Sequence, residues 1–326
     1  MQRTVQLLTL AVIAKASQAQ PVIDFVTVGA PGNRATVPSE VPDWPGMQVG
    51  SVNYEYRISQ TEVLVEDWYP FVQAYAPFWN GSVADSRFTS IFIYHDGDQY
   101  VMAPGTERYP IDTTWHMAAR YVNWLHNGAI SGQEWAFETG VYETSTFTQN
   151  PDGSWNDQVS HSPNARFWIP TYDETFKAFY YDPDRYGSGE GGYWLYPNSS
   201  NVSPVSGPPG VGTTNAGLGT FSQYSVAGQY PDYATPWGVL DASGGENELS
   251  ETTRSEHFRD RYEFGTSLGT SANFIRFIDR TDWQRPGAGP DGSLVGFRIA
   301  ASIPQPGGVV LLGAVVTAWG AHRRRK

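Results

Sequence analysis

The chain has 326 residues, no cysteine and a formal net charge of −12, which excludes disulfides, thiolate metal sites and a cysteine nucleophile. So acidic a chain repels phosphate backbones, and nucleic acid is not an expected partner. Twelve Trp, 19 Tyr, 34 Gly and 23 Pro point to loops pinned by aromatic side chains rather than to long regular elements.

Met1 to Ala19 has the layout of a secretory signal peptide: Arg3, the apolar run "LLTLAVIA" (Leu7 to Ala14), and small residues at Ser17 and Ala19. Cleavage is expected after Ala19, leaving a domain over residues 20–302. "IDFVTVG" (Ile23 to Gly29), "YEYRISQTEV" (Tyr54 to Val63), "SIFIYH" (Ser90 to His95) and "LVGFRIA" (Leu294 to Ala300) read as short strands. Three stretches read as helices. "EDWYPFVQAYAPFW" has Pro70 expected in its first turn and Pro77 at its end. "TTWHMAARYVNWLHNG" puts Trp115, Ala118, Val122 and Leu125 on one face, with Thr113 or Thr114 to cap the start and Gly128 the end. "IPTYDETFKAFYY" opens on a capping box, Thr171 and Glu174, and stops at Asp182-Pro183. Short strands with scattered helices and no βαβ alternation predict an α+β fold. Asn198 to Thr220, rich in Ser, Gly and Pro, is expected to be a long surface loop inside one domain.

The end of the chain is segmented into Ile303-Pro304-Gln305-Pro306, an apolar run from Gly308 to Ala321, and the basic cluster Arg323, Arg324, Arg325, Lys326. The apolar run falls short of the roughly 20 residues of a comfortable span. The basic cluster would hold it on the cytoplasmic side as a transient anchor.

Motifs of chemistry were weighed along the chain. Gly265-Thr266-Ser267-Leu268-Gly269 matches G-x-S-x-G, but the one later histidine is His322 in the tail. "DPDRYGSGE" begins like a calcium loop at Asp182, Asp184 and Gly187, yet its twelfth position is Tyr193 rather than Glu, against an EF-hand. His116 and His126 lie ten residues apart on one helix, about 80° short of three whole turns, which favours capping and packing over a shared metal. Glu246 and Glu248 read as loop acids or ion ligands.

In order, six stretches resemble the formylglycine-generating enzyme, or sulfatase-modifying factor, family. "YRISQTEVLVEDWYPFVQAY" is similar to its strand-to-helix segment with the E-V-T-N core. "YPIDTTWHMAARYVNWLHNG" resembles its W-x-x-A helix through Trp115, Ala119, Tyr121, Trp124 and Leu125. "ARFWIPTYDETFKAFYYDP" keeps Arg166, Pro170, Thr171 and Glu174 of R-L-P-T-E-A-E-W-E. "TPWGVLDASGGENELSE" retains Gly238, Leu240, Asp241, Gly244 and Glu248 of the G-N-V-W-E-W stretch. "GTSLGTSANFIRFIDR" stands where R-G-G-S-W begins the last third, and "VGFRIA" matches the closing G-F-R. The resemblance implies one compact C-type-lectin-like domain, loop-rich, with short antiparallel strands and about three helices. The tail resembles a PEP-CTERM sorting signal of bacterial exported proteins, with Gln305 in place of the usual acid, which implies sorting machinery as a partner.

The resemblance also sets the site expectations. The family's copper-binding cysteine pair belongs in Ser267 to Gly287, where there is none, so no copper and no catalytic residue are expected; thiolate is the ligand that selects Cu(I). Calcium is the cofactor implied. Glu248 occupies the family's carboxylate position, with Asn215 in "TTNAG" as a second loop ligand, although Gly245 and Leu249 replace the usual Asn and Trp. The expected function is that of an exported, non-catalytic surface or matrix protein binding polysaccharide or other exported proteins. Loop aromatics such as Trp155, Tyr193 and Trp194 would either make those contacts or pin the core. The alternative is a metal-dependent enzyme with a site of His and carboxylates.

Overall fold

A computed structural model describes residues 21–219, 221–254, 259–281, 291 and 294–304. The stretch expected to be a signal peptide, and all of the expected sorting segment beyond Pro304, lie outside the described residues. In chain order the elements are β1 (Phe25–Val28), β2 (Tyr56–Ser59), α1 (Val65–Tyr75), α2 (Ser86–Thr89), β3 (Ile93–His95), β4 (Tyr100–Met102) and α3 (Trp115–His126). There follow α4 (Trp135–Glu138), β5 (Thr148–Gln149), β6 (Trp155–Asn156), β7 (Phe167–Trp168), α5 (Tyr172–Tyr180), β8 (Tyr181–Asp182) and β9 (Gly192–Tyr193). The last are β10 (Glu248–Thr253), β11 (Arg261–Phe264), α6 (Ile275–Ile278), β12 (Gly296–Phe297) and β13 (Ala300–Ala301). The fold is α+β with short, mostly antiparallel strands, as the sequence predicts. The three helices read from the sequence are the long ones, of 11, 12 and 9 residues; α2, α4 and α6 are single turns. None of the described helices is long and apolar enough to cross a membrane.

Local chemistry explains the long helices. Thr114 caps α3 by accepting from Met117 N, and Gly128 follows the helix at φ 83°, a left-handed conformation that glycine adopts without Cβ strain. Nearly every α3 side chain is buried, so its neighbours must satisfy its polar groups. Asn123 does this in full: Nδ2 donates to Phe137 O (2.8 Å) and Tyr142 O (2.7 Å), and Oδ1 accepts from Val141 N and Tyr142 N (both 2.9 Å). α5 carries the expected capping box, Glu174 N donating to Thr171 Oγ1 and Thr171 N to Glu174 Oε2. Glu174 also accepts from Trp168 Nε1 and Tyr54 OH. In α1 the helix begins one residue earlier than expected, so Pro70 is its sixth residue, in the second turn. There it forfeits the bond that an N–H would give to the Glu66 carbonyl.

A four-stranded antiparallel sheet runs β1-β2-β13-β7, with Ala300 opposite both Ile58 and Trp168. A second, β11-β10-β12, joins Glu248 to Phe264 antiparallel and to Gly296 in parallel. The single strand expected over Leu294 to Ala300 is therefore two, in different sheets. Arg298 lies between them with its guanidinium buried against Glu248, at the point where pairing passes from β10 to β2 and β7. Between sheets and helices lies an aromatic core: Trp68, Phe71, Tyr121, Trp124, Phe137 and Phe297 are all fully buried. Trp68 and Phe71 ring centroids are 4.6 Å apart.

Candidate functional site

Glu248 starts β10, and its carboxylate is gripped by Arg298, with Nε at 2.9 and 2.8 Å from the two oxygens and Nη2 at 2.8 Å. The guanidinium also donates to the carbonyls of Gln60 and Leu240, each at 2.7 Å, and stands 3.7 Å from Glu62 Oε2. The two closing motifs are thus joined by a buried ion pair. Burial raises the Glu248 carboxyl's pKa, against the pull of Arg298. Asn215 lies at the neighbouring Gly244-Gly245 turn, and its Oδ1 accepts from Gly245 N at 2.8 Å. Both expected calcium ligands therefore reach one loop region with oxygens engaged by a guanidinium and a backbone N–H. Among the described residues no three His, Asp or Glu side chains group to hold a metal.

The three loop aromatics divide. Tyr193 is fully buried, its OH donating to Arg34 O and accepting from Asn33 Nδ2: a core pin. Trp194 is half-buried beneath the Arg185 guanidinium, 3.9 Å from the ring centroid, with its Nε1 on Asp182. Trp155 lines a cleft.

That cleft, about 430 Å³, opens over the first turns of α3. His116 and Arg120 supply its floor. Phe147 and Trp155, brought over by the β5–β6 hairpin, make one wall, and the segment after α1, with Phe78 and Trp79, makes the other. The His116 ring lies 4.9 Å from that of Phe147 and 5.0 Å, edge to face, from that of Trp155. Its Nδ1 is 3.9 Å from Asp291 and its Nε2 4.0 Å from Asp157, both beyond hydrogen-bond reach. Nε2 is buried without a partner. Burial first, then Arg120 and Arg261, pull its pKa down to about 3, so the ring is neutral at neutral pH.

The charges around the cleft are matched to one another. Arg120 pairs with Glu138 (2.8 Å), Arg87 with Asp85 (2.6 Å) and Asp291 (3.0 Å), and behind the floor Arg261 holds Asp157 at 2.9 Å. Arg261 also stacks 3.8 Å above the Trp115 ring. The cleft thus combines aromatic walls with polar groups whose charges are neutralised, while His116 Nε2 points behind the floor towards Asp157. This suits a bound molecule with apolar ring faces and hydroxyl or amide edges.

His126, the other helical histidine, sits at the far end of α3, where its Nδ1 accepts from Arg166 N at 3.1 Å. The two histidines lie at opposite ends of α3, His116 packed between the Phe147 and Trp155 rings and His126 bonded to the Arg166 backbone. Sequence reasoning did not single out Trp79, Arg87, Arg120 or Asp157 as site residues. The available signal was "PFWNGS" (77–82), two bulky aromatic residues placed just past the proline expected to end the helix.

No protein-family model and no curated protein sequence matches the chain. Among solved structures, "Crystal Structure of CarF" aligns over 88% of this chain and 100% of its own, at 16% identity and a TM-score of 0.49. "Treponema denticola variable protein 1" aligns over 86% and 95%, at 16% identity and 0.44.

Proposed function

We propose that this chain is an exported, non-catalytic binding protein with a sulfatase-modifying-factor-like domain, and that the cleft over α3 receives a neutral carbohydrate of the cell surface or matrix. The observation that carries the reading is the pairing within the cleft. Trp155 and Phe147 offer ring faces, while every charged side chain named there already has an opposite charge. A charged ligand would have to break ion pairs; a hydroxyl-bearing one can add hydrogen bonds to them. The signal-peptide layout and the segmented tail support export, with sorting machinery and a transient membrane anchor acting at the C-terminal end. Calcium at the Gly244-Gly245 loop would have to displace Arg298 from Glu248 and the Gly245 N–H from Asn215, so the carbohydrate reading does not rest on that ion.

The test is retention of the purified protein on a panel of neutral polysaccharides, alongside Trp155→Ala. Binding is expected for the parent, with a loss of tenfold or more in the variant at unchanged melting temperature; equal retention of the two overturns the cleft as the site. Metal analysis of the same preparation decides the alternative. Stoichiometric iron or copper would favour a metal-dependent enzyme built on this family's domain.

A further inference from the structure

Trp79 borders a second cavity. On its other side lies a space of about 480 Å³ lined by Gln73, Pro77, Val83, His95, Gln99 and Tyr100, and Gly81 borders both. The indole between them is held on three sides. Its Nε1 donates to Ser82 O at 2.9 Å, its ring lies 5.0 Å from that of Phe88 at an interplanar angle of 30°, and a Cβ at Gly81 would overlap it. Trp79 is thus a fixed rib between two open concavities, half-buried in place.

We infer that the two cavities are adjoining subsites for one neutral polysaccharide chain that passes across the Trp79 ring. This rests on the carbohydrate reading of the α3 cleft and adds the form of the ligand: a polymer read over several sugar units rather than a single sugar. Each cavity falls in the size range of small-ligand sites, and each has its own aromatic and amide or imidazole groups, Trp155 and His116 on one side, Tyr100, Gln99 and His95 on the other. The second cavity contains one charged side chain, the exposed Asp98, and the first contains charges already paired. Neither offers a spare cation to a polyanion, which a chain of net charge −12 repels in any case. Units tied in one chain bind the second subsite at high local concentration, so affinity climbs with length without any new kind of contact.

The experiment titrates the full chain by calorimetry with β-1,4-, β-1,3- and α-1,4-glucose ladders, each from monomer to hexamer. One ladder is expected to bind with a rise of about 100-fold between its shortest and longest members. Val83→Trp, which fills the second cavity, and His95→Ala, which trims it, are both expected to flatten that rise while short chains still bind. Trp155→Ala is expected to weaken every length. Affinity independent of length, or a rise that persists in both second-cavity variants, overturns the two-subsite inference and leaves the α3 cleft standing. Failure of every ladder to bind, or binding of extended neutral peptides in their place, overturns both.

Discussion

Arg298 is surrounded by more acid than it can neutralise. Glu248 holds it directly, Glu62 stands 3.7 Å away, and Asp241 is close enough to feel its charge. Burial raises the pKa of all three carboxyls, with Arg298 opposing. Replacing Arg298 with Met strands those acids in the interior, where an uncompensated partner of a buried pair costs about 3–5 kcal/mol. A urea midpoint within error of the parent's would show the pair to be dispensable. His116 makes a different prediction because its shift has the opposite sense. Its folded-state pKa lies near 3 against about 6.5 in the unfolded chain, so the unfolded state takes up the proton first. The stability it contributes is complete above pH ~6.5 and is lost as pH falls towards 3. In His116→Gln the parent's decline in urea midpoint between those pH values should become shallower; identical slopes would place the ring in water.

α3 shows what an element must do when almost none of its surface meets solvent. Asn123 spends its whole side chain on four backbone groups between Phe137 and Tyr142, so Asn123→Ala strips the Val141 and Tyr142 N–H groups and the Tyr142 C=O of that partner in the core, while Phe137 O keeps Thr144 Oγ1. At about 1–3 kcal/mol for each buried group left unsatisfied, the loss of stability should reach at least about 3 kcal/mol, read by urea denaturation; a loss below about 1 would mean that water replaces the amide. Both α3 and α5 were legible in the sequence because their signals are local: a Thr cap, a capping box, apolar spacing, a terminating Gly or Asp-Pro. β12 and β13 were not, because nothing local in "VGFRIA" shows that Arg298 turns inward and hands the chain from one sheet to another. β10 and β11 also went unread. "ELSETT" is polar at every position but Leu249, and the interior that accepts those residues, including Arg261 with its partner Asp157, comes from elsewhere in the chain.

At the scale of the molecule, the cleft is assembled from α3, the β5–β6 hairpin, the segment after α1, α2 and Asp291. Only Trp155 and His116 drew attention beforehand, as an aromatic contact and a helical histidine. Their meeting depends on loop paths that no spacing rule encodes. Glu248 and Asn215 did lie at one loop region, yet their roles there depend on Arg298 and on the Gly245 N–H. The two sheets are equally non-local. A chain ended at residue 293 lacks β12 and β13, removing the strand that joins β2 to β7 and the parallel partner of β10. It should show no cooperative unfolding transition by circular dichroism, and a sigmoidal melt would mean that the remaining strands form a sheet unaided.

The position of β13 also sets an order of events in the cell. A central strand of the four-stranded sheet is the last of the described strands, so β7 and the β1–β2 pair must wait for residue 301 before they can be bridged. Until residue 301 has been made, the four-stranded sheet cannot close. For a chain proposed to leave the cytoplasm, that order puts closure of the sheet late, after most of the domain has been threaded.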